Sequence, residues 1–323
     1  MPDKESVFIA GGAGFIGSHF TSMLVENPSI ERVTIYDNFS SGQRWHIEHL
    51  KPHLDSGKIN VYEGKIENLD ALAQQMKGHQ TVIHLASNPD IARAVREPTI
   101  DFDQGTALTQ YVVEAMRLSG ANRILYASGS GVYGDIGMIE AAENYAPMIP
   151  ISTYGASKLA GEGLIAAYSY MFNFSGIAFR FGNVVGPRQT HGIGYDFVRK
   201  LKENPKELDI LGDGTQSKSY VYIDDIVKAV WTAHEKSQAR FDTFNVATGD
   251  YITVSEIAAI AIEEVLGKDA KVKLNYAGGD RGWKGDVPII RLNTDKIRST
   301  GWQPKYLSAD AIRHSIRAMV AQK

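Results

Sequence analysis

Residues 7–17 read Val-Phe-Ile-Ala-Gly-Gly-Ala-Gly-Phe-Ile-Gly, a short apolar run that opens into glycines at positions 11, 14 and 17. The run suits a buried strand, and glycines spaced in threes suit a tight turn into a helix. An apolar-periodic stretch follows to Asn27-Pro28, then a second β-branched run, Arg32-Val-Thr-Ile-Tyr-Asp37. Parallel strands need a crossover helix, so the first forty residues predict one βαβ unit. Further apolar runs at Thr81–Ala86, Arg123–Ala127 and Gly176–Phe181 are separated by helix-like stretches such as Thr106–Leu118 and Tyr154–Tyr170. This alternation predicts an α/β fold built on a Rossmann-type doubly wound parallel sheet.

Beyond Gly186-Pro187 the texture changes. Glycine and charge cluster in 211–219 and 278–286, which read as surface loops, while Thr253-Val-Ser-Glu256 offers a capping box for a helix stopping at Gly267. At 323 residues the chain exceeds what one core usually holds. The division expected is a dinucleotide-binding domain over 1–186 and a smaller C-terminal α/β substrate domain over 187–323, with some chain returning to the first. The absence of cysteine excludes disulfides, zinc thiolates and thiol nucleophiles, and the histidines lack metal-ligand spacing, so no metal is expected. A net charge of −3 with no long run of either sign argues against nucleic acid. A polar N-terminus before a four-residue apolar stretch predicts neither a leader nor a membrane span, leaving the cytoplasm as the default location.

Gly11, Gly14 and Gly17 would let backbone approach a pyrophosphate whose charge rests on the amides of the helix N-terminus. A tight turn alone would also explain them. Context favours the phosphate: Asp37 ends the next strand twenty residues after Gly17, where a carboxylate accepts both ribose hydroxyls of an adenosine and repels a 2′-phosphate. NAD is thereby expected over NADP.

Tyr154 and Lys158 stand four apart on a predicted helix and so share a face. They follow a strand ending at Ala127-Ser128, and strand C-termini in such sheets face the ligand crevice. A phenol titrates near 10. To accept a proton at neutral pH it must be made more acidic by about three pH units, roughly 4 kcal/mol, which an ammonium about 4 Å away supplies at an effective dielectric near 20.

Taken together, Gly11–Gly17, Asp37-Asn38, His84-Leu-Ala-Ser87, Val132-Tyr-Gly134, Tyr154-Gly-Ala-Ser-Lys158 and Arg180-Phe-Gly-Asn183 resemble the extended short-chain dehydrogenase/reductases. Within them the likeness is to the nucleotide-sugar epimerase and dehydratase group typified by UDP-galactose 4-epimerase, over nearly the whole chain. The resemblance implies tightly held NAD and a nucleoside diphosphate sugar as substrate. Tyr154 would take the proton of the sugar C4 hydroxyl, and Lys158 would also hold the nicotinamide ribose. By position Gly11, Gly14, Phe15, Ile16 and Gly17 fall to the pyrophosphate, and Asp37, Asn38, Ser41 and Gly42 to the adenosine ribose. Ile66 falls to the adenine, where Lys65 replaces a common Asp, and Leu85, Ala86 and Ser87 to the nicotinamide side. Asn183 falls to the substrate diphosphate. The group's pairing of two helices across a two-fold axis implies a homodimer through 106–118 and 154–170, although Leu108, Val112, Met116, Leu164, Ile165 and Tyr168 would serve a monomer core equally.

Departures from the pattern bear on the reaction. The helper Ser or Thr is Gly129 here, leaving Ser128 and Ser130 as neighbouring hydroxyls or as local backbone caps. Ser130 and Gly131 stand where 4,6-dehydratases carry Asp-Glu, and Gly131 where sugar-nucleotide decarboxylases carry Glu. Lys218 replaces the usual diphosphate Arg, and Arg281, or else Lys284, must serve for a second. A nucleotide-sugar 4-epimerase is the leading expectation. A C4 dehydrogenase releasing its 4-keto product comes next, and a 4,6-dehydratase or a non-catalytic NAD-binding regulator after it.

Overall fold

A computed structural model describes residues 4–322. By its internal contacts the chain forms two units. One comprises 1–128, 157–179 and 233–243, the other 129–156, 180–232 and 244–323.

In the first unit, Glu5–Ala10 forms β1, in which Val7, Phe8, Ile9 and Ala10 are fully buried, as a strand covered on both faces requires. The chain turns through the glycines into α1 (Phe15–Glu26), which Asn27 and Pro28 end. β2 (Ile30–Asp37), β3 (Ile59–Glu63), β4 (Thr81–His84) and β5 (Arg123–Gly129) follow, with β6 at Ser175–Phe181 and β7 at Phe241–Val246. The order across the seven-stranded sheet is β7-β6-β5-β4-β1-β2-β3. β1 pairs in parallel with both β2 and β4, β2 with β3, and β4 with β5. This is the doubly wound arrangement expected. Its order reverses beside β1, so the ends of β1, β2, β4 and β5 open on the crevice where such sheets take ligands.

Helices α2 (Leu69–Met76) and α3 (Ala107–Ser119) bury Leu72, Met76, Val112 and Met116 against Phe8, Val82 and Ile124 of the sheet. Leu108 and Ile165 join that core, so four of the six residues considered for a subunit interface are committed within the chain. β4 stops at His84, two residues short of the apolar run, because the Leu85 and Ala86 amides both turn back to the Ala10 carbonyl. α4 (Thr153–Phe172) carries the Tyr-Lys pair.

The second unit gathers the helices Ile193–Glu203, Val254–Leu266 and Ser308–Ala321 around Phe197, Leu201, Ile257, Ala261, Ile312 and Ile316. The capping box forms as read, with Thr253 and Glu256 exchanging bonds and Gly267 closing the helix. The 211–219 stretch is less superficial than its composition suggests. Ser217–Lys218 pairs with Ile252–Thr253, and Gln216 and Ser219 are buried. The Ser219 hydroxyl shares a 2.6 Å bond with Thr248, which lets a polar residue go inside. Among the described residues no helix is long and apolar enough to cross a membrane.

Candidate active site

The glycine turn separates into residues the fold needs and one it does not. Gly11 has φ +83°, and a Cβ on it would stand 2.7 Å from the Ala86 nitrogen, while one on Gly17 would stand 2.5 Å from the Gly11 oxygen. A Cβ on Gly14 would meet the Gly11 oxygen at 3.5 Å, an ordinary contact. Gly14 is also the N-cap of α1 and makes no side-chain cap bond, so the helix's first-turn amides at Phe15 and Ile16 are left for another acceptor. That cradle fits an anionic diphosphate at the positive end of the helix.

Asp37 sits where β2 ends, 7% exposed. Its Oδ2 accepts the Ala13 amide at 2.9 Å and its Oδ1 the Phe39 amide at 2.8 Å. Burial raises its carboxyl above the usual range, opposed by these bonds and by His46. Each oxygen keeps a second lone pair for a ribose hydroxyl. Gly42 lies against the carboxylate, since a Cβ on it would come within 2.9 Å of Oδ1. Asn38 and Ser41 are exposed nearby, Ile66 is buried, and Leu85, Ala86 and Ser87 are half-buried just past β4.

Lys158 is 4% exposed. Its Nζ donates to the Ala127 carbonyl near the end of β5 at 2.7 Å and lies 5.1 Å from the Tyr126 ring centre. Burial pulls the ammonium down to about 8, against the pull of Asp101 the other way. His84 is a packing residue: its Nε2 meets Thr109 Oγ1 at 3.0 Å, its ring lies against Tyr126, and burial lowers it to about 3. Tyr154 is half-buried one turn before Lys158 on α4. Of the two hydroxyls considered as helpers, Ser128 donates to Glu162 Oε1 at 2.6 Å, with both residues 4% exposed. Its one proton is thereby committed, whereas half-buried Ser130 lies in the turn after β5. A Cβ on Gly155 would stand 2.5 Å from the Gly131 oxygen, so that turn rests on the residue beside Tyr154. Gly129 has extended backbone, and a Cβ on it would meet nothing within 4 Å.

In the second unit the two expected phosphate cations converge. Lys218 pairs with Asp286 at 2.6 Å, and Arg281 donates to the Asp286 carbonyl at 2.6 Å and to Asp135 at 2.5 Å. Half-buried Asn183 opens the strand Asn183–Val185, beside Tyr220. The Val-Tyr-Gly and Arg-Phe-Gly-Asn motifs also meet here. Arg180 donates to the Tyr133 hydroxyl at 2.8 Å, which donates to Asn245 Oδ1 at 2.7 Å, inside the unit. These two residues hold the scaffold. Glu162, Asn88, Asp101, Asp135 and Asp286 escape a reading of the sequence. Only Glu162 carries a local signal, lying four beyond Lys158 in line with Tyr154.

The family model described as the NAD dependent epimerase/dehydratase family matches residues 7–247. A crystal structure of a UDP-galactose 4-epimerase is 33% identical and superposes with a TM-score of 0.85, covering 97% of this chain and 98% of that one. The UDP-glucose 4-epimerase of Thermotoga maritima, solved with UDP-glucose, is 28% identical with a TM-score of 0.85 and the same coverage of both chains. The UDP-glucose 4-epimerase of Azospirillum brasilense is 29% identical over 331 residues, 96% of this chain and 90% of the relative.

Proposed function

We propose that this protein, which belongs to the NAD dependent epimerase/dehydratase family, is a nucleotide-sugar 4-epimerase. NAD is its cofactor and, when bound, supplies a reversible hydride acceptor for the sugar C4. The observation that carries the reading is α4, with Tyr154 one turn before a buried Lys158 ammonium tied to the end of β5. The ammonium favours the phenolate form with which Tyr154 accepts the C4 hydroxyl proton, and Tyr154 later returns that proton to the C4 oxygen once the turned 4-keto sugar has been reduced on its other face.

Gly11, Gly14, Phe15, Ile16 and Gly17 hold the pyrophosphate in this reading. Asp37 takes the adenosine ribose with Asn38, Ser41 and Gly42, and Ile66 lies against the adenine. Leu85, Ala86 and Ser87 lie on the nicotinamide side, and Lys158 also reaches the nicotinamide ribose. Asn183, Lys218 and Arg281 take the sugar diphosphate, displacing Asp286 and Asp135 from the two cations. Ser130 is the remaining candidate for the hydroxyl that meets the C4 oxygen. The turn Gly129-Ser130-Gly131 has no carboxylate for proton transfer at C5 or C6, which supports epimerisation over dehydration. The open space at Gly129 favours one second reading, a C4 dehydrogenase that releases its keto product.

Incubation with UDP-glucose, UDP-N-acetylglucosamine, the corresponding uronate and GDP sugars, without added cofactor, is expected to interconvert one C4 pair. Accumulation of NADH with no epimer when NAD is then supplied in excess would overturn the epimerase in favour of the dehydrogenase. A second copy of the chain is the proposed partner of α3 and α4, where Leu118, Tyr170 and Met171 stay exposed. Light scattering showing a monomer at micromolar concentration would remove it.

A further inference from the structure

Gln216 has no part in the scheme above. It is 4% exposed, yet among the described residues neither polar atom of its side-chain carboxamide has a hydrogen-bond partner. Two buried polar atoms left unpaired are costly and call for a reason. The main chain around them is fixed, since the Gln216 carbonyl accepts the Val254 amide at 3.0 Å and the Ser217 amide donates to the Pro288 carbonyl at 2.8 Å. Gly212 has φ +73°, and a Cβ on it would stand 1.8 Å from Gln216 Nε2 and 3.1 Å from the Arg281 carbonyl oxygen. Glycine at 212 therefore lets the carboxamide lie in the seam between 211–219 and 278–286, beside the Arg281 backbone.

Those two stretches carry the proposed phosphate cations. Gln216 and Lys218 stand two apart in extended chain and share a side of it, while Ser217 between them meets Arg291 Nη2 through its Oγ at 3.1 Å. Asp286 Oδ1 accepts Lys218 Nζ at 2.6 Å, its Oδ2 accepts the Gly282 amide at 3.1 Å, and its carbonyl accepts Arg281 Nη1 at 2.6 Å. Among the described residues no other hydrogen bond joins 279–286 to 211–219. A diphosphate that draws Lys218 and Arg281 to itself undoes that tie. The carboxamide, too buried to meet a nucleotide, keeps a donor and an acceptor for main chain. We propose that Gln216 is a positioning residue that fastens the Arg281 stretch onto the Gly212 turn when a nucleoside diphosphate binds, its Nε2 then donating to the Arg281 carbonyl beside it. The role rests on the reading of Lys218 and Arg281 as the diphosphate cations and adds the group that fixes where Arg281 stands.

The test compares the chain alone with the chain and nucleotide together. Gln216→Met keeps the length of the side chain and removes both polar atoms. Alone it is expected to melt at or above the wild-type temperature, because it buries nothing unpaired. Its Kd for UDP, or for GDP where UDP does not bind, is expected by isothermal titration to be tenfold or more above that of wild type, for the loss of one buried hydrogen bond in the bound form. Gln216→Leu, of similar volume, is expected to behave the same way and covers the case where Met does not pack. If both variants melt below wild type, the carboxamide is already paired in the chain alone, a merely structural role, and the proposal is overturned. It is overturned also if a variant as stable as wild type binds the nucleotide equally well, an outcome that leaves the diphosphate reading of Lys218 and Arg281 standing. A wild-type chain that binds neither UDP nor GDP sinks that reading itself, and the role of Gln216 with it.

Discussion

Replacing Lys158 with Met keeps most of the stem and removes the charge. In the folded chain the ammonium is 4% exposed, and burial lowers it from 10.5 to about 8. An ammonium about 4 Å from the phenol contributes on the order of 4 kcal/mol at an effective dielectric near 20. At 1.36 kcal/mol per pH unit that is roughly three pH units of phenol acidity, which the variant forfeits. At pH 7 the phenolate fraction, and kcat/KM with it, is expected to fall about a thousandfold. The variant then gains about tenfold per pH unit until about pH 10. Wild type runs the other way: its ammonium is complete below about pH 8 and lost above it, so kcat/KM declines where the variant recovers. Stability carries a matching sign. Between about 8 and 10.5 the unfolded chain binds the lysine proton and the folded chain does not, so wild-type stability rises with pH through that window, while the Met variant lacks this contribution. Initial rates of C4 interconversion across this pH range, with melting curves alongside, provide the measurement. A loss of the same size at every pH would refute the electrostatic argument and leave Lys158 only a role in holding the ribose.

The two central glycine substitutions are expected to behave differently. Gly14→Ala should melt like wild type, since its Cβ meets only a 3.5 Å contact, yet weaken NAD binding tenfold or more by isothermal titration, about 1.4 kcal/mol. Gly17→Ala, whose Cβ would stand 2.5 Å from backbone, should lose about 1–3 kcal/mol of stability as well, read as a lower Tm. Lys218→Met and Arg281→Met each remove a charged donor worth about 1.5–3 kcal/mol, so KM for the nucleotide sugar should rise roughly ten- to a hundredfold while kcat changes far less in steady-state assays. Gly129→Ser should fold without loss, because its backbone is extended and its Cβ position open, and should raise kcat severalfold by adding a hydroxyl near the C4 oxygen.

Much of the first unit was legible because its signals are local. β1 is an unbroken apolar run, the glycines sit between strand and helix, and Asp37 ends β2 at a fixed distance beyond them. Tyr154 and Lys158 likewise lie one helical turn apart. What escaped is built by residues far apart in the chain. Asn88 and Asp101 are separated by thirteen positions in a stretch with no strong periodicity, and nothing near Asp101 announces that it will be buried against Asn88. Asp135 and Asp286 look like ordinary loop acids until Arg281 and Lys218 are placed against them. Buried polar pairs escape for a physical reason: burial follows from closure of the whole fold, whereas hydrophobic period reports one element at a time. Gln216 and Ser219 went inside a glycine-rich segment for the same reason.

The glycines offer a way to tell these cases apart. At Gly11, Gly17, Gly105 and Gly155 an added Cβ would strike backbone or side chain at 2.7 Å or less, so the fold itself explains the residue. Other glycines have a positive φ that other side chains rarely adopt. Among described glycines with neither reason, Gly14, Gly129, Gly131, Gly163 and Gly194 would meet no atom closer than 3.5 Å. Three of these five lie at the proposed pyrophosphate and sugar positions, and Gly163 is exposed on α4 where a second copy of the chain is proposed. Glycine in an unstrained, uncrowded place costs about 0.5–1 kcal/mol within a helix or strand relative to alanine, with nothing gained inside the protein. A glycine in such a place fits a need for room from something outside the chain. On the function proposed above, the room at Gly14 and Gly129 would be taken by the dinucleotide and the sugar, so a substitution that the fold tolerates should be felt in binding and catalysis.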